Sequence, residues 1–277
     1  MREKSMLGAI IGDVIGSRFE FGGAKSKDFD LFDDQTTFTD DTVMTVAVAD
    51  CILDGGDSPA HFFRKWGHRY PDRGYGGMFA RWILTEDMGP YDSFGNGAAM
   101  RISPVALFAS DMADAAFMAV KMTEVTHNHP DGIKGALATV SSIMLARRGV
   151  SVIAIRERIE LDYGYDMHRT VDSIRPSYEF NVTCQGSVPE AIICALEASS
   201  YEDAIRNAIS LGGDCDTQAC IAGGIAEALF GIPDDIVHRA LSYLPDDMRQ
   251  IVHDSYSNCS SQPTFDPDLL FGSRSVD

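Results

Sequence analysis

Apolar residues recur at three- and four-residue intervals along most of this chain, the spacing that gives a helix one buried face. The stretches 111–125 (DMADAAFMAVKMTEV), 131–149 (DGIKGALATVSSIMLARRG), 188–199 (VPEAIICALEAS) and 201–213 (YEDAIRNAISLGG) carry it most clearly. A further helix is predicted over 58–70, with Ser58 as its cap and Pro59 at its first position. Gly149 and Gly212 stand where helix C-termini are expected. No set of strands with strict alternation is present, and FNVTC at 180–184 is the best short strand candidate. Short Gly/Pro/Asp connections separate the helices, without repeats or a long linker. The pattern predicts an all-α fold of about a dozen helices in a single domain spanning 1–277. The polar, Pro-containing tail from about Ser257 is expected to be peripheral.

Near the N-terminus, Gly8, Gly12 and Gly16 fall four apart in LGAIIGDVIG. Each glycine costs a helix about 1 kcal/mol relative to alanine. Three on one face therefore point to a packing demand, a smooth stripe against which another helix can close. Asp13 and Glu20 are seven apart and share a face if that helix continues. The plain reading of Asp13 alone is a solvated or capping carboxylate.

Composition narrows the possibilities. Of 277 residues, 45% are hydrophobic, enough for a large core. The net charge of -18 argues against general nucleic-acid binding, which depends on Lys and Arg neutralising phosphates. The six cysteines lack zinc-knuckle or redox spacing and read as free, buried thiols of a cytoplasmic protein. The N-terminal stretch loosely mimics a signal peptide, but Asp13 interrupts it and no good cleavage site follows. No segment has the length of a membrane span.

Within this acidic background two clusters stand out. FTDDT at 38–42 runs directly into an apolar segment, and GGDCDT at 212–217 opens a helix rich in small residues. Asp and Thr are ordinary helix caps, and the chain contains its own controls. Asp234-Asp235 follows Pro233 and Asp246-Asp247 follows Pro245, each opening a predicted helix with Pro in its first turn. An Asp-Asp pair alone thus says little. Two clusters that each combine carboxylates with a Thr hydroxyl are less ordinary. An EF-hand is excluded, because Ala219 stands at the required glycine and Ile225 at the required glutamate. Oxygen donors of this kind suit Mg²⁺, Mn²⁺ or Ca²⁺ rather than zinc.

The segments 8–20 (GAIIGDVIGSRFE), 38–42 (FTDDT), 94–107 (FGNGAAMRISPVAL), 126–127 (TH), 186–196 (GSVPEAIICAL) and 212–231 (GGDCDTQACIAGGIAEALFG) occur in the order of the ADP-ribosylglycohydrolase family. The chain resembles that family over most of its length. The resemblance implies a compact orthogonal bundle of helices, all-α. It implies two Mg²⁺ or Mn²⁺ ions held by Thr39, Asp40, Asp41, Asp214, Asp216 and Thr217, with Asp216 as the bridge. It places Glu20 and Asp41 at the reaction. It also places Phe94, Gly95, Asn96, Gly97 and His127 on the ADP-ribose moiety, the glycines letting backbone amides approach phosphate oxygens. The implied activity is hydrolysis of the bond between ADP-ribose and its acceptor, on a modified protein or small molecule, releasing ADP-ribose. Modified arginine is the favoured acceptor; serine, nucleobases and small metabolites stay open. A monomer is expected, without membrane partners. The competing reading is an ADP-ribose-binding relative that has lost catalysis.

Overall fold

The structure is a computed structural model and describes residues 6–21 and 25–259. Its helices are α1 (Leu7–Gly16), α2 (Asp40–Leu53), α3 (Pro59–Arg69), α4 (Gly77–Leu84), α5 (Gly97–Met100), α6 (Ser103–Phe108), α7 (Met112–Thr123), α8 (Pro130–Arg147), α9 (Val152–Tyr163), α10 (Val171–Ile174), α11 (Cys184–Leu196), α12 (Tyr201–Ser210), α13 (Cys215–Phe230), α14 (Asp234–Leu241) and α15 (Asp246–Asn258). There is no strand among the described residues, as an all-α chain requires. Nor is any described helix long and apolar enough to cross a membrane.

The centre of the bundle is the pair α1–α13. All 10 residues of α1 are buried, so this helix is apolar around its whole circumference and must lie inside. The glycine stripe explains how. Gly8 faces Gly223, Gly12 faces the Ala219 carbonyl and Gly16 faces Asp216, so the helices run antiparallel with their backbones in contact. A methyl group at Gly16 would lie 2.6 Å from Asp216 Cα. The far end of the pair is also tied. Glu227 on α13 is buried and accepts from the Gly8 N–H at 2.6 Å and the Tyr256 hydroxyl at 2.9 Å. Tyr256 in turn accepts from the Leu7 N–H at 2.8 Å. Two amides at the start of α1 that no helical carbonyl can satisfy are thereby paired.

Several expectations are amended. α1 stops at Gly16 and one 3-10 turn, Ser17–Phe19, follows, so Asp13 and Glu20 do not share a continuous helix. The segment 180–184 is not a strand. It makes one antiparallel bridge, Gly95 with Thr183, in which Asn96 N–H donates to the Val182 carbonyl at 2.8 Å and Cys184 N–H to the Phe94 carbonyl at 2.9 Å. Helix α11 begins four residues before Val188, because Thr183 rather than Pro189 sets its start: the Thr183 hydroxyl accepts from Gly186 N–H. Pro233 and Pro245 sit at the cap positions before Asp234 and Asp246, not inside the helices. Of the tail expected to be peripheral, Ser257 and Asn258 still belong to α15, and residues 260–277 lie outside the described residues.

Replacing Gly12 with Ala is expected to destabilise the fold by about 1–3 kcal/mol or more, the cost of overpacking a close backbone contact. Gly89→Ala is the control, since no atom lies within 4 Å of a methyl group there. Denaturant unfolding of the two variants separates them; equal stability would dismiss the packing role of the stripe.

Candidate metal and ADP-ribose site

The two acidic clusters lie at the starts of α2 and α13 and face each other across a cavity of about 300 Å³. Each is built by its helix. Thr39 caps α2 in extended backbone, its hydroxyl accepting from Asp41 N–H at 3.3 Å, so that Asp40 and Asp41 fall in the first turn. Asp214 caps α13 after two consecutive glycines with left-handed backbone, Gly212 at φ 74° and Gly213 at φ 84°. A residue with Cβ would be strained at either position. Asp214, Asp216 and Thr217 then line the cavity together with Asp40, Asp41 and Glu20. Glu20, Asp214 and Asp216 each bring an oxygen within 4.8 Å of the others.

Asp13, read above as an ordinary solvated or capping acid, is fully buried beneath the site. One of its oxygens accepts from the Thr39 hydroxyl at 2.6 Å. The other accepts from Thr39 N–H at 3.0 Å, from Thr42 N–H at 3.1 Å and from the Thr42 hydroxyl. The carboxylate on α1 thus holds the first turn of α2 from both ends. Nothing in its sequence neighbourhood marks that role; it depends on α1 passing under α2.

Burial is the main cause of the electrostatic state. It pushes Asp40, Asp41 and Asp216 well above the usual carboxylate range, and neighbouring carboxylates push them further. Glu20 rises to about 7, first through burial and then through Asp214 and Asp13. Among the described residues no Lys, Arg or His forms an ion pair with these groups. Asp41 Oδ2 and Asp216 Oδ1 are buried without any hydrogen-bond partner. Buried carboxylate oxygens left unpaired are costly. A set of hard oxygen donors, crowded, anionic and lacking protein cations, fits divalent cations of the Mg²⁺ or Mn²⁺ type.

The opposite wall comes from the 94–97 turn, His127 and Arg101. The Asn96 side chain donates to Asp214 Oδ2 at 2.6 Å, tying this wall to the acidic cluster. Gly95 N–H is already given to the Ser93 hydroxyl at 3.2 Å, so Gly95 supplies room rather than a free amide. Gly97 lies under the imidazole of His127, where a methyl group would stand 3.1 Å from Nε2. His127 is buried and lines the cavity. Two expected residues stand back from it. Thr39 does not line the cavity, its hydroxyl being turned to Asp13, and the Phe94 ring packs edge-on against His129, 5.3 Å between centroids. The apolar surface of the cavity comes instead from Met78, Phe79, Tyr91, Phe180 and Val182, none of them marked individually as a ligand contact by the sequence. Phe180 and Phe21 stack at the rim, both exposed, and no periodicity announces such a pair. Cys215, between two acids, points away and donates to the Ile209 carbonyl at 3.6 Å.

Comparison with known proteins agrees with the helical fold. The sequence profile described as ADP-ribosylglycohydrolase matches residues 3–264. The ADP-ribosylhydrolase ARH3 of Danio rerio is 28% identical, with 82% of each chain covered. The ADP-ribosylarginine hydrolase Tri1 of Pseudomonas putida (strain GB-1) is 26% identical, covering 82% of this chain and 70% of that one. The ADP-ribosyl-[dinitrogen reductase] glycohydrolase of Rhodospirillum rubrum is 26% identical, covering 87% and 88%. Among solved structures, an ADP-ribosylglycohydrolase-related protein complex superposes with a TM-score of 0.69 at 23% identity, covering 92% of this chain and 98% of that one, which establishes the likeness of fold. With its helical bundle, its paired acidic clusters and a profile match over nearly its whole length, this chain belongs to the ADP-ribosylglycohydrolase family.

Proposed function

We propose that this protein hydrolyses the glycosidic bond joining ADP-ribose to its acceptor and so reverses mono-ADP-ribosylation, using two Mg²⁺ or Mn²⁺ ions. The observation that carries the reading is the pair of buried acidic clusters in which one oxygen each of Asp41 and Asp216, Oδ2 and Oδ1, has no hydrogen-bond partner. In this reading Asp40, Asp41, Asp214, Asp216 and the Thr217 hydroxyl would hold the cations, with Asp216 as the shared ligand. Thr39, expected from the resemblance to be a ligand, has its hydroxyl turned to Asp13 and would instead fix the first turn of α2. When bound, the cations supply positive charge to hold the ribose diol and lower the pKa of a bound water.

The chain's own groups do the rest. Cleavage breaks the bond from C1″ to the acceptor atom; water delivers its hydroxyl to C1″ and its proton ends on the acceptor. Positive charge that develops at C1″ is stabilised by the surrounding carboxylates. Glu20, which lines the cavity beside Asp214 and Asp216, is placed to carry the proton. Asp41 is the second candidate for this step. The turn 94–97 and His127 receive the remainder of ADP-ribose. Arginine is the favoured acceptor, consistent with the name of the Pseudomonas relative. The continuous core, with contributions from α1 through α15, supports reading the described residues as one domain; that the 1–277 chain is a single domain acting as a monomer is part of the proposal. A purely binding role is disfavoured because every ligand position retains an oxygen side chain. A panel of defined ADP-ribosylated proteins, nucleic acids and metabolites, with ADP-ribose release as the readout, tests the activity and its acceptor.

Chelation is expected to abolish turnover and to change stability in a pH-dependent way. Groups whose folded pKa is raised bind more protons when folded than when unfolded. Relative to a chelated Glu20→Gln variant, the chelated protein should therefore lose stability as pH rises from about 4.3, the unfolded glutamate value, through the Glu20 value of about 7. Added Mg²⁺ or Mn²⁺ should restore it, most strongly at the high end. Full activity in excess EDTA, or a chelated protein whose stability climbs across that window relative to the variant, contradicts the reading.

Asp216→Asn and Asp235→Asn form a matched pair. Both lie in the first turn of a helix, and each substitution removes one negative charge. Asn tolerates these positions, so both proteins should fold. Turnover should fall by about two orders of magnitude or more in Asp216→Asn, the scale of lost electrostatic stabilisation. Asp235→Asn, on the surface, should match wild type. Metal stoichiometry and ADP-ribose release on both variants decide the matter, and wild-type turnover in folded Asp216→Asn would refute a binuclear centre.

A further inference from the structure

The wall opposite the acids holds a buried cation with an unusual set of neighbours. Arg101 follows α5 and is 1% exposed. No carboxylate forms an ion pair with it among the described residues. Its guanidinium lies over the Phe63 and Phe79 rings, 4.7 and 5.5 Å from their centroids. Its Nη2 has two polar neighbours, the Thr126 hydroxyl at 2.7 Å and His127 Nδ1 at 3.0 Å. A guanidinium can only donate. Its two Nη2 hydrogens are both matched when Nδ1 of His127 presents its lone pair; an Nδ1–H could pair with the Thr126 hydroxyl but would leave one guanidinium hydrogen facing it, so the geometry favours the lone pair. The Thr126 hydroxyl, 2.8 Å from Nδ1, can donate to that same atom. The opposite tautomer would set an imidazole N–H against a guanidinium N–H at this distance.

The ring proton is then on Nε2. That atom is the one under the Gly95–Gly97 turn, with Gly97 packed closest to it, on the cavity side of the ring. It has no protein hydrogen-bond partner among the described residues, although His127 is only 5% exposed. An N–H that opens to the cavity and has no protein partner is free to donate to an oxygen of a ligand bound there.

We propose that Arg101 is a positioning residue that locks His127 in the Nε2–H tautomer, so that the imidazole presents a permanent hydrogen-bond donor to an oxygen of the bound ADP-ribose. The proposal rests on the ADP-ribose reading of the cavity. It assigns His127 no proton-transfer role. Burial, and then the adjacent Arg101 charge, hold the imidazole well below its ordinary pKa and keep it neutral, in keeping with the geometry. Arg101 itself, lowered by burial to about 10, stays charged at neutral pH. The arrangement also accounts for Gly97: a side chain there would press on the donor atom.

Nitrogen-15 NMR of histidine-labelled protein reads the tautomer directly, with the His127 signals assigned by their loss in His127→Gln. Wild type should show an unprotonated Nδ1 and a protonated Nε2 for His127, in the presence of Mg²⁺ and with or without ADP-ribose. Arg101→Met should shift His127 towards mixed tautomers and weaken ADP-ribose by about tenfold or more, the scale of one hydrogen bond to a charged oxygen. Arg101→Lys, which restores a donor and the charge, should recover most of both. A wild-type His127 carrying its proton on Nδ1 overturns the proposal, whether or not any variant folds. So does an Arg101→Met protein whose His127 spectrum and ADP-ribose affinity are both those of wild type. Failure of wild type to bind ADP-ribose at all, with the Nε2–H signature intact, would instead count against the proposed ligand and leave the lock standing.

Discussion

The backbone contact between α1 and α13 is the constraint on which the rest depends. Helix axes usually stand 8–10 Å apart because side chains separate them. Here glycine on both sides removes that spacer, at Gly8, Gly12 and Gly16 on one helix and Gly223 on the other. Two helices so close need not be amphipathic; they are simply buried. The contact ends at Gly16 against Asp216, so the same stripe that packs the core sets where the second acidic cluster stands. Asp13, one turn earlier on α1, reaches the first cluster through Thr39 and Thr42. One buried helix therefore positions both halves of the site.

The site works against folding. Bringing Asp13, Asp40, Asp41, Asp214 and Asp216 out of water and next to one another is unfavourable in both respects, and each of them is held above its ordinary pKa mainly by burial. The scaffold offsets this in part with oriented donors: the Thr hydroxyls and amides on Asp13 and the Asn96 amide on Asp214. Unpaired oxygens on Asp41 and Asp216 mark what protein donors leave undone. Across the cavity the logic inverts. Arg101 is a buried cation held by aromatic faces, a hydroxyl and an imidazole rather than by an acid. An anionic wall thus faces a wall that carries a buried cation, so the two sides of the cavity differ in charge and in hydrogen-bonding character.

Much of this was legible along the chain. Helices were readable from their period, because packing against one core forces the 3.6-residue repeat. The glycine stripe was readable because glycine inside a helix is unfavourable unless something approaches closely. The acidic clusters stood out against the control pairs at 234–235 and 246–247 by their Thr partners and by family resemblance. Helix ends were less legible. Thr183 starting α11 ahead of Pro189, and α1 giving way to a 3-10 turn after Gly16, depend on contacts with distant residues.

By itself, then, the sequence determined the class of fold, the close helix pair and the residue types able to hold a cation. Those are local properties, written in spacing and in side-chain chemistry. Only the tertiary structure decided that Asp13 is a buried strut rather than a solvated acid, and that Phe94 turns outward while Phe180 and Tyr91 line the cavity. It alone decided that Arg101 governs His127. Each of these joins residues far apart in the chain, and whether an isolated acid, aromatic or arginine faces water, core or ligand is settled by what the fold brings against it.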